Sequence, residues 1–135
     1  MSAPLSLLLI EDDDADREWV ARNLKSARIY CDVSYAADGE EATAILAEPK
    51  PPFDVILVDF GLPDIDAMDL LRNMQDQPRM AGALIVAVSG SRDAGLIHGA
   101  MDLGVQAFMS KPFSPQALMD TLTDGGFWLT FKRPA

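Results

Sequence analysis

The 135-residue sequence has one cysteine, one histidine and no long hydrophobic run. Cys31 has no partner for an internal disulfide, which fits a reducing compartment, and we interpret it as a small half-buried side chain rather than a reactive thiol. No run approaches the roughly 20 apolar residues that span a bilayer. Residues 1–4 lack the basic region of a signal peptide. We therefore expect a cytoplasmic protein that does not enter a membrane.

Basic residues are also scarce. The chain has 11 Lys and Arg but 21 Asp and Glu, so its formal net charge is -10. Such a surface repels phosphate backbones and anionic lipid head groups, so we expect no direct binding to nucleic acid or to a membrane surface. Apolar residues, by contrast, make up 49% of the chain. That proportion is typical of a globular protein, and the length fits one domain with a real core.

Five apolar runs of strand length alternate with five segments of helical spacing. The predicted strands cover 5–10, 32–36, a run that ends at Asp59, 83–89 and 105–109. The predicted helices cover 14–27, 40–47, 66–74, a segment after Asp93 that turns Leu96, Ile97, Ala100 and Leu103 inward, and one from Ser114 or Pro115 to near 123–126. This alternation predicts right-handed crossovers, and hence an α/β protein with a five-stranded parallel sheet and helices on both faces.

Polar side chains stand where four of these strands end. Glu11 and Asp12 follow the first strand, Asp59 ends the third, Ser89 ends the fourth and Lys111 follows the fifth. The carboxyl ends of parallel strands meet at the same edge of a sheet, where open α/β sheets bind their ligands. We therefore expect these five side chains to converge.

The carboxylates of Glu11, Asp12 and Asp59 require counter-charge, because two unit charges about 4 Å apart repel by roughly 4 kcal/mol at an effective dielectric near 20. Lys111 supplies one positive charge, and a divalent cation supplies two. Mg²⁺ prefers oxygen ligands, and the cluster has no histidine or cysteine to favour zinc. His98 lies within a predicted helix and is expected to be solvated. The cluster combines a nucleophilic carboxylate, carboxylates that can bind a metal ion, and a cation. Phosphoryl transfer requires these groups, so we expect Asp59 to accept a phosphoryl group.

These motifs together resemble the receiver domain of two-component response regulators over nearly the whole chain. The family has an acidic pair after the first strand, an aspartate ending the third, Ser or Thr ending the fourth, and Lys-Pro after the fifth. The sequence has Leu9-Ile10-Glu11-Asp12-Asp13, Leu57-Val58-Asp59, Val88-Ser89-Gly90 and Ser110-Lys111-Pro112-Phe113. The resemblance implies a flavodoxin-like doubly wound sheet of order 2-1-3-4-5. It also implies a stand-alone signalling domain, similar to chemotaxis regulators, that catalyses only its own phosphorylation and dephosphorylation.

The resemblance assigns a role to each acidic residue of the cluster. Asp59 would take its phosphoryl group from a sensor histidine kinase or a phosphotransfer protein. Glu11, Asp12 and the backbone carbonyl of Gly61 would hold Mg²⁺ (or Mn²⁺) together with Asp59.

The remaining roles concern phosphoryl binding and the conformational switch. Ser89 and Lys111 would bind phosphoryl oxygens, and Phe108 occupies the aromatic switch position, which acts on the face around the fourth and fifth helices. The bond between Lys111 and Pro112 is typically cis in the family. Two positions depart from the pattern. Ala67 stands where a glycine is common, and Phe108 replaces a frequent tyrosine and so lacks its hydroxyl.

We expect a receiver domain over residues 1–124, followed by an aromatic tail over residues 125–135 and by no separate output domain. The segment Phe127-Trp128-Leu129 either folds back on the domain's own core or makes an intermolecular contact, since aromatic anchors are enriched at interfaces. The tail resembles that of response regulators paired with phytochrome-type histidine kinases. In those proteins it supports a homodimer, so the resemblance implies a homodimer through the tail and the fourth and fifth helices.

Two other classes use related chemistry or topology. Haloacid-dehalogenase-type enzymes also use an aspartyl nucleophile after a strand, but they carry a second acid two residues later, where this chain has Gly61. A flavodoxin-like cofactor binder requires a hydroxyl- and glycine-rich loop after the first strand. Residues 11–14 are all acidic here and would repel a phosphate.

Overall fold

The computed structural model describes residues 4–90, 93–111 and 113–124. Five parallel strands form one sheet in the order β2-β1-β3-β4-β5. The strands are β1 (Leu5–Ile10), β2 (Cys31–Ala36), β3 (Val55–Asp59), β4 (Leu84–Ser89) and β5 (Ala107–Ser110). The predicted fold class and strand order are confirmed, and the fold is a flavodoxin-like, doubly wound α/β domain.

Five α-helices cover the sheet. They are α1 (Asp14–Ser26), α2 (Gly39–Leu46), α3 (Ala67–Met74), α4 (Ala94–Asp102) and α5 (Pro115–Asp124). An aspartate caps each of the first four helices by accepting a hydrogen bond from a backbone N–H of the first turn, at 2.8–2.9 Å. These caps are Asp13, Asp38, Asp66 and Asp93. Within the described ranges, no helix is long and apolar enough to cross a membrane.

Two hydrophobic cores lie on opposite faces of the sheet, because alternate residues of each strand point to opposite sides. One core lies under α1 and α5 and includes Leu7, Leu57, Val86, Leu24 and Leu118. The other lies under α2, α3 and α4 and includes Leu8, Ile56, Ala87, Leu46 and Leu71. Every residue of β3 is buried as a result. The strand therefore delivers the Asp59 carboxylate to the sheet edge from within the core.

Helix α4 departs from the predicted packing. Ala100 is buried as expected, but Leu96, Ile97 and Leu103 are only half-buried. A Cβ at Gly99 would lie 3.3 Å from the sulfur of Met68 on α3. Small residues thus bring α4 close to α3 along a narrow stripe, and the larger side chains on either side of this stripe stay partly exposed.

The segments before β4 and β5 also differ from the prediction. Val105 is buried but precedes the strand, because its N–H donates to the carbonyl of Ala100 at the end of α4. Strand β5 therefore begins at Ala107. Residues Pro78–Met80, which lie between the predicted helix 66–74 and the predicted strand 83–89, form a 3-10 turn.

Arg79 in this turn is a buried cation that composition and spacing did not reveal. Its guanidinium lies 3.9 Å from the ring centroid of Phe53, its Nε donates to the carbonyl of Pro51 at 2.9 Å, and its Nη1 lies 3.1 Å from Oε1 of Glu48. These contacts join the loop before β3 to the turn before β4.

Gly39 joins the start of α2 to the loop that follows β3. Its N–H donates to both carboxylate oxygens of Asp64, each at 3.1 Å. A Cβ at this position would lie only 2.5 Å from Cγ2 of Ile65. The close approach explains why this contact uses a residue without a side chain.

Candidate functional site

Three carboxylates cluster at the carboxyl edge of the sheet. Glu11 directly follows β1 and Asp59 ends β3, and their exposed fractions are only 2% and 8%. Asp12 is exposed. One oxygen from each lies within 4.8 Å of the others. The strand register, which pairs Ile10 with Val58, brings these chain positions together as predicted.

Lys111 lies beside the two buried carboxylates. Its Nζ atom is 2.8 Å from Oε1 of Glu11 and 3.2 Å from Oδ1 of Asp59. The backbone N–H of Lys111 donates to the carbonyl of Ser89 at 3.1 Å, so the chain after β5 stays against the end of β4. Glu11 and Lys111 are 100 positions apart. Their contact therefore depends on the assembled sheet.

The buried charges change each other's proton affinity. Burial and, next, the neighbouring Asp59 raise the pKa of Glu11 to about 7, although Lys111 opposes both effects. Burial alone would lower the pKa of Lys111, but the hydrogen bond that Lys111 donates to Glu11 and the charges of Asp59 and Glu11 outweigh it and raise that pKa above its ordinary value. Lys111 is therefore a permanent cation, set in a cluster that carries more negative than positive charge.

Asp16 is a further carboxylate at this lysine, and it was not among the predicted site residues. Its Oδ2 lies 3.4 Å from Nζ of Lys111, and its side chain is 49% exposed. Asp16 belongs to the first turn of α1, where acidic residues are common because they favour the helix dipole. The sequence therefore contained no separate signal for a contact across 95 positions.

A cavity of about 340 Å³ opens beside the charged cluster. Its charged lining consists of Glu11, Asp16, Asp59 and Lys111, and its apolar lining consists of Leu9, Trp19, Val20, Val88 and Phe113. The rings of Trp19 and Phe113 meet edge to face with their centroids 4.7 Å apart. The Lys111 side chain thus lies at the border between an apolar wall and the carboxylates.

Gly61 lies against the Asp59 carboxylate, two residues beyond it. Its backbone N–H donates to Oδ1 of Asp59 at 3.0 Å, and a Cβ at Gly61 would lie 3.5 Å from that oxygen. The backbone at Gly61 is therefore in contact with the Asp59 carboxylate. The metal role of the Gly61 carbonyl stays a prediction.

Ser89 and Phe108 lie on the neighbouring strands. Ser89 ends β4 one residue beyond Val88, the partner of Asp59 in the sheet, and is largely buried. Phe108 on β5 is half-buried and meets the ring of Phe60 edge to face, with centroids 6.0 Å apart. Because Phe60 directly follows Asp59, this ring contact connects the strand end to the predicted switch position.

Several predictions concern positions away from this cluster. His98 is exposed on α4, as predicted, and Cys31 is half-buried at the start of β2. Pro112, with the predicted cis bond, and the tail 125–135, with Phe127-Trp128-Leu129, lie outside the described residues.

The fold and the cluster define a class of protein. A parallel sheet of order 2-1-3-4-5 with acids after its first and third strands and a lysine after its fifth is the architecture of chemotaxis-regulator-like domains. The chain belongs to the response regulator receiver domain family, because the sequence model of that family matches residues 7–123.

Individual relatives agree with this assignment. The transcriptional regulatory protein TrcR of Mycobacterium tuberculosis is 33% identical over 125 residues, which are 89% of this chain but only 44% of TrcR. The chemotaxis protein CheY1 of Helicobacter pylori is 27% identical over 115 residues, which are 85% of this chain and 92% of CheY1. The solved structure of the bacteriophytochrome response regulator AtBRR has a TM-score of 0.77 and 27% identity, covering 93% of this chain and 95% of that one.

Proposed function

We propose that this chain is a single-domain response regulator that accepts a phosphoryl group on Asp59 and signals by a Mg²⁺-dependent conformational switch. The observation that carries the proposal is the position of Lys111 Nζ, 3.2 Å from Oδ1 of Asp59 within an acidic cluster. A phosphoryl group brings further negative charge to this site. A cation at hydrogen-bond distance and a divalent metal are the groups that stabilise such charge.

The carboxylates of Glu11, Asp12 and Asp59 fit Mg²⁺ or Mn²⁺. All three offer oxygen ligands, and the exposure of Asp12 leaves one side of the cluster open to water and to phosphoryl oxygens. The carbonyl of Gly61 is the proposed fourth protein ligand, supported by the contact of the Gly61 backbone with the Asp59 carboxylate. When bound, the cation neutralises the carboxylates and polarises the phosphoryl oxygens.

Asp59 is the nucleophile of the proposed transfer. One of its carboxylate oxygens bonds to phosphorus while the bond from phosphorus to the donor's imidazole nitrogen or acyl oxygen breaks, and the donor leaves with the electron pair. Lys111 and Ser89 bind the phosphoryl oxygens. In hydrolysis a water oxygen bonds to phosphorus, the bond to Asp59 breaks, and inorganic phosphate is released. The domain thus catalyses only its own phosphorylation and dephosphorylation.

The proposed switch runs from Ser89 to Phe108. Ser89 moves toward the phosphoryl oxygens, and Phe108 follows it and changes its contact with Phe60. The surface around α4, β5 and α5 then changes its affinity for partners. The half-buried Leu96 and Ile97 on α4 support this surface as a partner-binding face.

The proposed phosphodonor is a sensor histidine kinase or a phosphotransfer protein. A phytochrome-type kinase is supported by the similarity to the bacteriophytochrome response regulator AtBRR. We further propose a receiver domain over residues 1–124 and a homodimer through the α4–α5 face and Phe127-Trp128-Leu129. A cytoplasmic location is supported by the single cysteine.

A phosphatase of the haloacid-dehalogenase type is the alternative enzyme. It requires an acid two residues after the nucleophile, but that position is Gly61, whose N–H donates to Asp59. Without this general acid–base, the enzymatic alternative has no support in the site.

Incubation with Mg²⁺ and acetyl phosphate, followed by intact mass measurement, tests the phosphoacceptor. The wild type should gain one phosphate, Asp59→Asn should gain none, and the matched Asp69→Asn, on the exposed face of α3, should gain one. A wild type without an adduct, or an undiminished adduct on Asp59→Asn, would contradict the proposal.

Light scattering tests the proposed homodimer. The full chain should have the mass of a dimer, and a variant ending at Asp124 should have the mass of a monomer. If the two chains have the same oligomeric state, the result would contradict the proposal that the tail forms part of the dimer interface.

A further inference from the structure

Lys111 has three carboxylate partners, and its ammonium has three N–H donors. Glu11 lies at 2.8 Å, Asp59 at 3.2 Å and Asp16 at 3.4 Å from Nζ. The contacts with Glu11 and Asp16 are hydrogen bonds, and the contact with Asp59 is an ion pair. A phosphoryl oxygen on Asp59 that binds Lys111 must therefore compete with carboxylates that already surround the ammonium.

The contact with Asp16 is the one that Lys111 can release at the lowest cost. Glu11 is 2% exposed, so its separation from Lys111 would leave a buried charge without its partner. Asp59 carries the phosphoryl group itself. Asp16 is about half exposed and makes the longest contact, so water can replace the ammonium at its carboxylate.

We propose that Asp16 is a positioning residue that holds Lys111 before phosphorylation and competes with phosphoryl oxygens for its ammonium. This inference rests on the proposed function of Asp59. Asp16 acts through Lys111 rather than through contact with the phosphoryl group, and its effect is to weaken the apparent affinity for phosphodonors.

The surroundings allow Lys111 to move between the two partners. Asp16 and Lys111 both line the cavity of about 340 Å³, so the lysine side chain can swing without displacing the backbone. Asp16 is fixed in the first turn of α1, where its N–H donates to the capping Asp13 at 2.9 Å. The backbone that carries the Asp16 carboxylate is therefore fixed within reach of Lys111, and a swing of the lysine side chain can break the contact.

The rate of phosphorylation at increasing concentrations of acetyl phosphate, with Mg²⁺ present, tests the competition. In Asp16→Asn the half-saturating concentration should fall about two- to fivefold, the range expected for loss of a partly exposed ion pair, while the maximal rate changes less. Asp16→Glu keeps the charge and should stay near the wild type. Asp16→Ser is a second neutral variant, and circular dichroism verifies that each variant is folded.

Glu18→Gln is the matched control, because it removes the same charge from an exposed position of α1 two residues away. It should shift the half-saturating concentration by less than half as much as Asp16→Asn. Equal shifts in the two variants would overturn the inference, since the effect would then be general charge removal.

A double-mutant cycle with Lys111→Met shows whether Asp16 acts through the lysine. The probe is beryllofluoride, a tetrahedral anion that imitates a phosphoryl group on a carboxylate, titrated calorimetrically with Mg²⁺. Asp16→Asn should tighten its binding when Lys111 is present and leave it unchanged in Lys111→Met. Equal tightening in both backgrounds would overturn the inference.

The wild-type adduct separates the two proposals. A wild type that forms no adduct overturns the proposed function and this inference with it. A wild type that is phosphorylated normally, with Asp16→Asn indistinguishable from it, overturns this inference alone.

Discussion

Oδ1 of Asp59 lies 3.2 Å from Nζ of Lys111 and accepts a hydrogen bond from the N–H of Gly61 at 3.0 Å. These two donors hold the carboxylate in one orientation. Glu11 and Asp12 nevertheless place two more carboxylates within 4.8 Å of it. In the absence of a metal, repulsion within this cluster opposes folding.

Removal of the Asp59 charge should therefore stabilise the metal-free protein. We expect Asp59→Asn to raise the free energy of unfolding by about 1 kcal/mol in EDTA, because it removes repulsion from two neighbours at the loss of one attraction. Urea denaturation measures the change. In saturating Mg²⁺ the advantage should disappear, since the variant loses a proposed metal ligand.

Lys111→Met should lower the free energy of unfolding in the same assay, because it leaves the buried Glu11 and Asp59 without their cation. A loss of stability for Asp59→Asn in EDTA would show that the attraction to Lys111 exceeds the repulsion within the cluster.

Arg79 should contribute far more stability than its position in a surface turn indicates. Arg79→Ala removes the contact with Phe53, the hydrogen bond to Pro51 and the ion pair with Glu48. We expect a loss of about 2–3 kcal/mol in the free energy of unfolding, measured by urea denaturation. Arg79→Lys should recover only part of it, because an ammonium cannot reproduce the planar fork.

Arg72→Ala is the matched control for Arg79. Arg72 forms an ion pair with Asp69 at 2.9 Å, but its side chain is 60% exposed. Its removal should cost about 0.5 kcal/mol or less. Similar losses for both arginines would contradict the importance of the buried site.

Gly39→Ala should destabilise the protein by about 1–3 kcal/mol, because the new methyl group would lie 2.5 Å from Cγ2 of Ile65. Thermal unfolding measures the loss. In an Ile65→Ala background the same substitution should cost much less, since the obstructing group is gone. If Gly39→Ala is equally destabilising in the Ile65→Ala background, the loss of stability would come from the backbone of α2 instead.

Cys31 should react slowly with iodoacetamide. Burial, and then the nearby Asp32, raise the pKa of the Cys31 thiol above its ordinary value. At about pH 8 the thiolate fraction is therefore smaller than in free cysteine, and the alkylation rate should still increase at a pH where free cysteine has levelled off. The urea-unfolded chain is the control and should react faster. A folded rate equal to that of free cysteine would contradict the prediction.

The fold and most of the cluster could be predicted because both follow from strand periodicity. Parallel strands place their carboxyl ends at one edge, so Glu11, Asp59, Ser89 and Lys111 could be brought together without knowledge of any contact distance. The same argument predicted the two layers of helices.

Contacts that depend on side-chain direction could not be predicted. The sequence does not distinguish Asp16 from other acids at a helix start, or Arg79 from other basic residues, because nothing local marks a partner many positions away. The width of the buried stripe on α4 likewise depends on how closely Gly99 approaches Met68 on the neighbouring helix. Helical spacing alone predicted a wider stripe than the structure has.

The distance along the chain between Glu11 and Lys111 has a consequence for biosynthesis. A ribosome completes Glu11, Asp12 and Asp59 long before it reaches β5 and Lys111. A nascent or prematurely terminated chain therefore has the carboxylates of the proposed site without their cation. Under the proposed function, such incomplete chains lack the cation that binds the phosphoryl oxygens, so they should accept phosphoryl groups from the kinase less readily than finished molecules.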